Sequence, residues 1–396
     1  METLSRISYQ VLILWITSFF WYITQGFVLP FLGLYIYQAS QGDIVLTALI
    51  TAIPSFITIL SVSFWGWCID KLRNNRIFAV LGLFSAAFLY FLGILVNDAF
   101  LFFFTYSALS FFMNAFIPAS QSYASLQSKM LDRAFGNLWA FGSLGWFFGA
   151  IISGLFYDFV GMVVIFQFAL VLLILAGILS IFGFKREKTS NYIESEQIAV
   201  PSWKTVLTNP IIVAICLIGV FHYLFINIAG AYFSVYITEV LGGGSFIVGT
   251  SLAIGTLLGT FLLPLFGRLS EAYGRKPFIL FTVGGAGLAG SICYLIPNPI
   301  VVAVMWGSLP LYTGLLTGGY AMLADASQEN DRGKAMGLFN AVAYLGVGIG
   351  PMVGAWIILA LDMRITFLVS GLLELVLFLV IIFFVKETRR TKGVNG

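Results

Sequence analysis

A chain of 396 residues with 60% hydrophobic and only 9% charged residues cannot be a soluble protein, whose surface needs roughly a quarter of all residues charged. Cys68, Cys216 and Cys293 show no CxxC spacing and have no histidine beside them, which excludes a metal or disulfide framework. What remains is an integral, multi-pass membrane protein, and the alternating ten-residue segments of a membrane barrel are absent.

Apolar runs of about 20 residues, enough to cross about 30 Å of hydrocarbon as helix, recur along the whole chain. The first, Tyr9–Tyr35, is too long for a signal-peptide core and has no small-residue cleavage site after it, so it stays as span 1. Span 2 covers Val45–Trp67, span 3 Ile77–Val96, span 4 Phe100–Leu126, span 5 Leu138–Tyr157 and span 6 Met162–Phe184. The mixed polar stretch 185–209 then reads as a cytoplasmic linker, in which Trp203, Val206 and Leu207 suit a short interfacial helix. Six more spans follow: Pro210–Thr238, Ser245–Phe266, Pro277–Ile296, Ile300–Ala324, Ala335–Leu361 and Ile365–Val385. The expected fold is therefore an all-α membrane protein of twelve helices, with six-helix bundles at 1–184 and 210–396.

Basic residues stay on the cytoplasmic side of short loops. With the N-terminus inside, all of the 20 Lys and Arg residues except Arg364 fall on the inner side. Adding or removing one helix destroys that split, so both termini are expected in the cytoplasm, of a prokaryotic cell membrane.

Two loops echo each other. Gly66-Trp67-Cys68-Ile69-Asp70-Lys71-Leu72-Arg73-Asn74-Asn75-Arg76 follows span 2, and Gly267-Arg268-Leu269-Ser270-Glu271-Ala272-Tyr273-Gly274-Arg275-Lys276 follows span 8. Asp132-Arg133 before span 5 and Asp331-Arg332 before span 11 repeat at nearly the same interval, which implies a duplicated chain. A glycine-led, acid-centred, basic-ended loop in both halves of a twelve-span chain resembles the major facilitator superfamily, whose pattern runs roughly Gly-x-Leu-x-Asp-Arg-x-Gly-Arg-Arg/Lys. The second copy matches at Gly267, Leu269, Gly274, Arg275 and Lys276 and departs at Glu271 and Ala272. The first matches at Gly66, Asp70, Lys71 and Arg76 and departs at Cys68, Arg73 and Asn74, which puts its turn geometry in question.

The resemblance implies alternating access, with Asp70 and Glu271 latching the halves on the cytoplasmic side against Arg133 and Arg332 or against helix N-termini. The alternative is that these charges only mark the cytoplasmic side. It also implies that spans 2, 5, 8 and 11 line the interface between halves. Small residues at four-residue spacing, which permit close helix crossing, fall in three of them: Gly145, Gly149 and Ser153; Gly255 and Gly259; Gly346, Gly350 and Gly354.

Only two strongly titratable groups lie deep inside spans. His222 is about 18 Å into span 7 and Glu374 about 15 Å into span 12, both near the midplane. Ionisable residues there are functional candidates, here for proton coupling, with His222 also a substrate contact; packing roles are the alternative. The spans expected to face the cavity offer a neutral, aromatic inventory: Tyr22 and Gln25 in span 1, Asn114 in span 4, Trp146 in span 5. Tyr223 and Asn227 in span 7, Trp306 and Tyr312 in span 10 and Tyr344 in span 11 complete it. Stacking and amide hydrogen bonds suit a neutral or amphipathic ligand, whereas a phosphate or dicarboxylate needs arginines that are missing.

No nucleophile–base pair, metal-ligand set or phosphate loop marks an enzyme, and no cofactor is expected. The expected partners are the lipid bilayer, a small-molecule substrate and H+, with no nucleic acid, and the protein is expected to be a monomer. Efflux of lipophilic compounds is the favoured reading, although span 4 lacks the arginine that proton-coupled drug exporters of the superfamily often carry. Uptake of a sugar-, nucleoside- or aromatic-acid-like solute is the alternative, because 135–146 looks like the span 5 entry of such symporters.

Overall fold

The computed structural model of the protein describes residues 9–96, 98–127, 131–184, 203–311, 314–328 and 331–388, without the side chains of 125–137, 203–204, 311 and 316. All regular structure among these residues is helical. The chain runs through α1 (Tyr9–Ala39), α2 (Ile44–Leu72), α3 (Asn75–Leu95), α4 (Ala99–Met113), α5 (Phe116–Gln127) and α6 (Leu131–Gly183). It continues through α7 (Trp203–Thr208), α8 (Pro210–Gly230), α9 (Phe233–Val235) and a π-turn (Tyr236–Val240). The last part holds α10 (Ser245–Tyr273), α11 (Lys276–Leu295), α12 (Pro299–Gly307), α13 (Tyr320–Ala326), α14 (Arg332–Ala360) and α15 (Met363–Phe384).

Short polar side chains set the starts. Asp43, Asp98 and Asp362 accept hydrogen bonds from the backbone N–H of Leu46, Leu101 and Ile365, satisfying donors that a helix start leaves unpaired. Asn209 and Asn298 do the same ahead of Pro210 and Pro299, which need no N–H at the first helical position.

Ten stretches are long and apolar enough to cross a membrane. One of them, Leu138–Gly183, has 46 residues; that is about 69 Å of helix, twice the hydrocarbon thickness. Gly161 breaks it at φ 70° and ψ 177°, so it crosses twice. A further crossing, 299–326, is divided among α12, a 3-10 turn, a π-turn and α13, and is too fragmented to count among the ten. Ten plus these two gives the twelve crossings expected from the sequence. The interruptions fall in spans 4, 7 and 10, where 114–115, 231–232, 308–311 and Leu315–Gly319 leave the α-helix.

Contacts group the chain into two compact units, Met1–Glu194 with Ile237–Leu257, and Ser195–Tyr236 with Leu258–Gly396. In the first, α1 lies directly on α6: a methyl added at Gly145 or Gly149 would collide with the carbonyl oxygen of Phe19 or Ile23. In the second, α14 lies on α8, with Gly346 and Gly354 against the carbonyls of Val220 and Ile228. These glycines therefore serve crossings inside each unit rather than the interface between halves for which the sequence nominated them. Four-residue spacing allows close approach without saying to which helix. In α7, Val206 is buried in one core cluster with Ile212, Met322 and Ala335, while Leu207 is exposed.

Candidate transport site

Within the second unit, α8 and α15 hold the two ionisable groups that lie deep in the spans. His222 Nδ1 and Glu374 Oε1 are 2.9 Å apart, with side-chain exposures of 8% and 0%. The spacing is that of an ion pair, and neither Nδ1 nor either Glu374 oxygen makes a hydrogen bond to any other group. One turn away the same two helices are joined again, by Ser370 Oγ donating to the Phe225 carbonyl at 2.7 Å. His222 with Phe225, and Ser370 with Glu374, stand three and four residues apart, so each couple shares a helix face. A carboxylate enclosed this way has one neighbour able to share a proton. Holding one proton between acid and imidazole beyond the neutral ring, the pair is neutral; without it, a bare negative charge stays in the apolar interior.

The first unit contains an uncharged aromatic crevice. Trp21 and Tyr22 of α1, Phe116 of α5 and Trp139 of α6 wall it, and its free space of about 10 Å³ admits one water. Trp21 stacks on Phe116 at 5.9 Å and meets Tyr22 edge-on at 4.7 Å. Trp21 Nε1 and Ser18 Oγ, both buried at its side, have no hydrogen-bond partner. A buried indole N–H normally finds an acceptor, so this wall has an unmet donor. Trp139 is half exposed.

The other nominated residues are scattered. Tyr22 lines the crevice, whereas Gln25 donates to Met113 Sδ at 3.4 Å. Asn114 spends both N–H groups inside the first unit, on Thr58 Oγ1 at 3.0 Å and Ser61 Oγ at 3.1 Å, and so ties α2 to the α4–α5 break. Asn227 donates to its own helix at Tyr223, and Tyr223 meets His222 edge-on. Trp306 packs against Phe367 and is buried, Trp146 is half-buried and Tyr344 is exposed. Tyr312 and the side chain of Arg133 lie outside the described residues. Ser18, Trp21, Phe116, Ser120 and Gln121 were not nominated; only the meeting of α1 with α5 around Tyr22 marks them.

The paired loops make the turn their sequences suggest. Gly274 stands at φ 103°, and Arg73 takes the equivalent left-handed position at φ 47°, so the first loop turns without its glycine. Glu387, beyond α15, accepts from the N–H groups of Arg275 and Lys276 at 3.0 and 2.9 Å, and Arg275 contacts Asp325 at 3.5 Å. Arg76 is half-buried. Asp70, Glu271 and Arg332 are exposed, and among the described residues neither acid forms an ion pair. Gly66 and Gly267 have open space where a side chain would point, so neither supports a close helix contact in this conformation.

The sequence pattern of the Major Facilitator Superfamily matches residues 14–313 and 311–396, nearly the whole chain. The chain belongs to the Major Facilitator Superfamily. Curated relatives of this Major Facilitator Superfamily protein include the class G tetracycline resistance protein of Vibrio anguillarum, 28% identical over 37% of each chain. The multi-drug resistance efflux pump PmrA of Streptococcus pneumoniae is 27% identical over 38% of each. Both matches thus span little more than a third of the relative's length. An uncharacterized MFS-type transporter of Methanocaldococcus jannaschii is 26% identical over 96% of this chain and 95% of its own. Among solved structures, a mutant of the nucleoside transporter NupG superposes with a TM-score of 0.80 at 17% identity, covering 95% of this chain and all of that one. The protein is a multi-pass membrane protein of this superfamily.

Proposed function

We propose that the protein exports flat, neutral or amphipathic organic molecules from the cytoplasm by alternating access, in exchange for protons. The basic loops and both termini face the cytoplasm, 185–209 links two six-helix halves, and Asp70 and Glu271 latch the cytoplasmic side at one stage of the cycle. The observation that carries the reading is a contrast: an uncharged aromatic crevice with an unmet indole donor in one unit, and a single buried acid–imidazole pair in the other. Widened during the cycle, the crevice would offer a ring system aromatic faces and an unmet donor for its acceptor, and the pair suits one proton per cycle. Relatives named for tetracycline resistance and for multi-drug efflux support the export direction.

The test is purified protein in vesicles carrying an imposed pH gradient, offered ethidium, tetracycline, labelled uridine and labelled glucose. Gradient-dependent movement of the first two, with the last two unmoved, is expected. Accumulation of uridine or glucose with no dye movement replaces this reading with the uptake of polar solutes.

A further inference from the structure

The two members of the buried pair are not equally enclosed. The Glu374 side chain has no exposed surface, whereas that of His222 keeps 8% of its own. Helix packing encloses the acid. Gly371, three residues before it, and Leu375, next to it, hold α15 against α11: a methyl on Gly290 would collide with the Gly371 backbone, and one on Gly287 with the Leu375 side chain. Toward α8, the bond from Ser370 to the Phe225 carbonyl closes the adjoining turn. A carboxylate with no surface of its own exchanges protons only through a neighbour that has some, and among the described residues its one titratable neighbour is His222.

The imidazole has an approach of its own, entirely within the second unit. Tyr223 meets the ring edge-on at 5.4 Å, and Tyr320 and Tyr344 lie close enough to Tyr223 to interact with it electrostatically. The Tyr320 hydroxyl donates to Asn340 Oδ1, which ties α13 to α14. Asn340 and Tyr344 are exposed and stand four residues apart, on one face of α14. Gly337 and Gly333, also exposed, continue that face toward the start of the helix, with open space where side chains would point. Arg332 and Lys334 stand at that start, and the three tyrosines are the other titratable groups on the way; among the described residues none of them forms an ion pair with His222. Uncharged polar groups thus lead from the imidazole to the exposed face of α14, and water can follow them.

We propose that His222 is a proton relay and Glu374 the proton store, so that every proton reaching or leaving the acid crosses the imidazole. In loading, a hydronium ion gives a proton to Nε2 and becomes water, while the proton on Nδ1 passes to Glu374 Oε1. The ring ends neutral with its proton on Nε2, and the acid ends neutral as a carboxylic acid; unloading runs the same steps backward. The 2.9 Å between Nδ1 and Oε1 is within reach of direct transfer. This rests on the proton exchange proposed above and deepens it by dividing the two roles.

The test follows the acid alone, with no substrate. In purified full-length protein in lipid nanodiscs, the infrared carbonyl stretch of protonated Glu374, identified by its loss in Glu374→Gln, is timed after a pH jump. His222→Gln, which keeps a polar neighbour but cannot pass a proton, is expected to slow the appearance of the band roughly 100-fold, the scale of losing one positioned proton-transfer group. His222→Ala is expected to be as slow and to recover when free imidazole is added, a rescue that a packing role does not give. If neither variant folds, the parent decides: across mixtures of light and heavy water the rate should fall as a quadratic function of the deuterium fraction, because two protons move together, whereas direct exchange with water gives a straight line. Unchanged band kinetics in folded His222→Gln, no rescue in folded His222→Ala, or a straight line in the parent overturns the relay and leaves the proton-exchange reading standing. A Glu374 band that never responds to pH overturns both.

Discussion

Replacing His222 and Glu374 by leucine, singly and together, separates a coupled pair from two independent core residues. Glu374 is wholly enclosed and His222 nearly so, which puts the pair among buried ion pairs rather than surface ones worth under about 1 kcal/mol. His222→Leu strands the acid with no polar neighbour, since both its oxygens lack hydrogen bonds already, and is expected to cost about 3–5 kcal/mol. Glu374→Leu leaves only the imidazole unmet and should cost about 1–3 kcal/mol. The double variant leaves neither stranded and should fall within about 1 kcal/mol of the parent. Unfolding of large membrane proteins is often irreversible, so the assay is the rate of unfolding in detergent at fixed temperature, compared across the four proteins. The expected order is His222→Leu fastest, Glu374→Leu next, and the double variant close to the parent. A double variant whose effect is the sum of the singles refutes a coupled pair.

Trp21→Phe keeps the ring of the crevice but removes its indole donor; affinity for acceptor-bearing ligands such as tetracycline should fall about tenfold by fluorescence titration, with a purely hydrocarbon probe unaffected. Asn114→Leu should destabilise the protein by about 1–3 kcal/mol without changing the order of ligand affinities, because its N–H groups hold Thr58 and Ser61. Asp70→Asn with Glu271→Gln should slow transport and shift cysteine accessibility toward the conformation open on the basic-loop side; unchanged transport and accessibility would reduce these acids to markers of sidedness.

The spans were legible because hydrocarbon thickness leaves only one way to bury about 20 apolar residues, and because the Lys and Arg residues fall on one side of them. His222 and Glu374 were legible as singular charges, but not as partners: their contact depends on α15 lying against α8, and nothing local records a crossing between distant helices. That the Asn114 amide N–H groups are taken up by α2 was hidden for the same reason. The glycine series showed that helices cross closely without naming the partner, and α6 and α14 turned out to serve α1 and α8. Trp21 and Ser18 carry no signal within an apolar run rich in aromatics.

Proton movement driven by substrate is the most direct measure of the central claim. In vesicles loaded with a pH-sensitive dye and given no initial pH difference, a substrate gradient should drive protons the opposite way, and Glu374→Gln should abolish that movement while leaving downhill substrate exchange intact. Substrate flux with no proton movement in the parent protein, or proton movement that survives Glu374→Gln, contradicts the account.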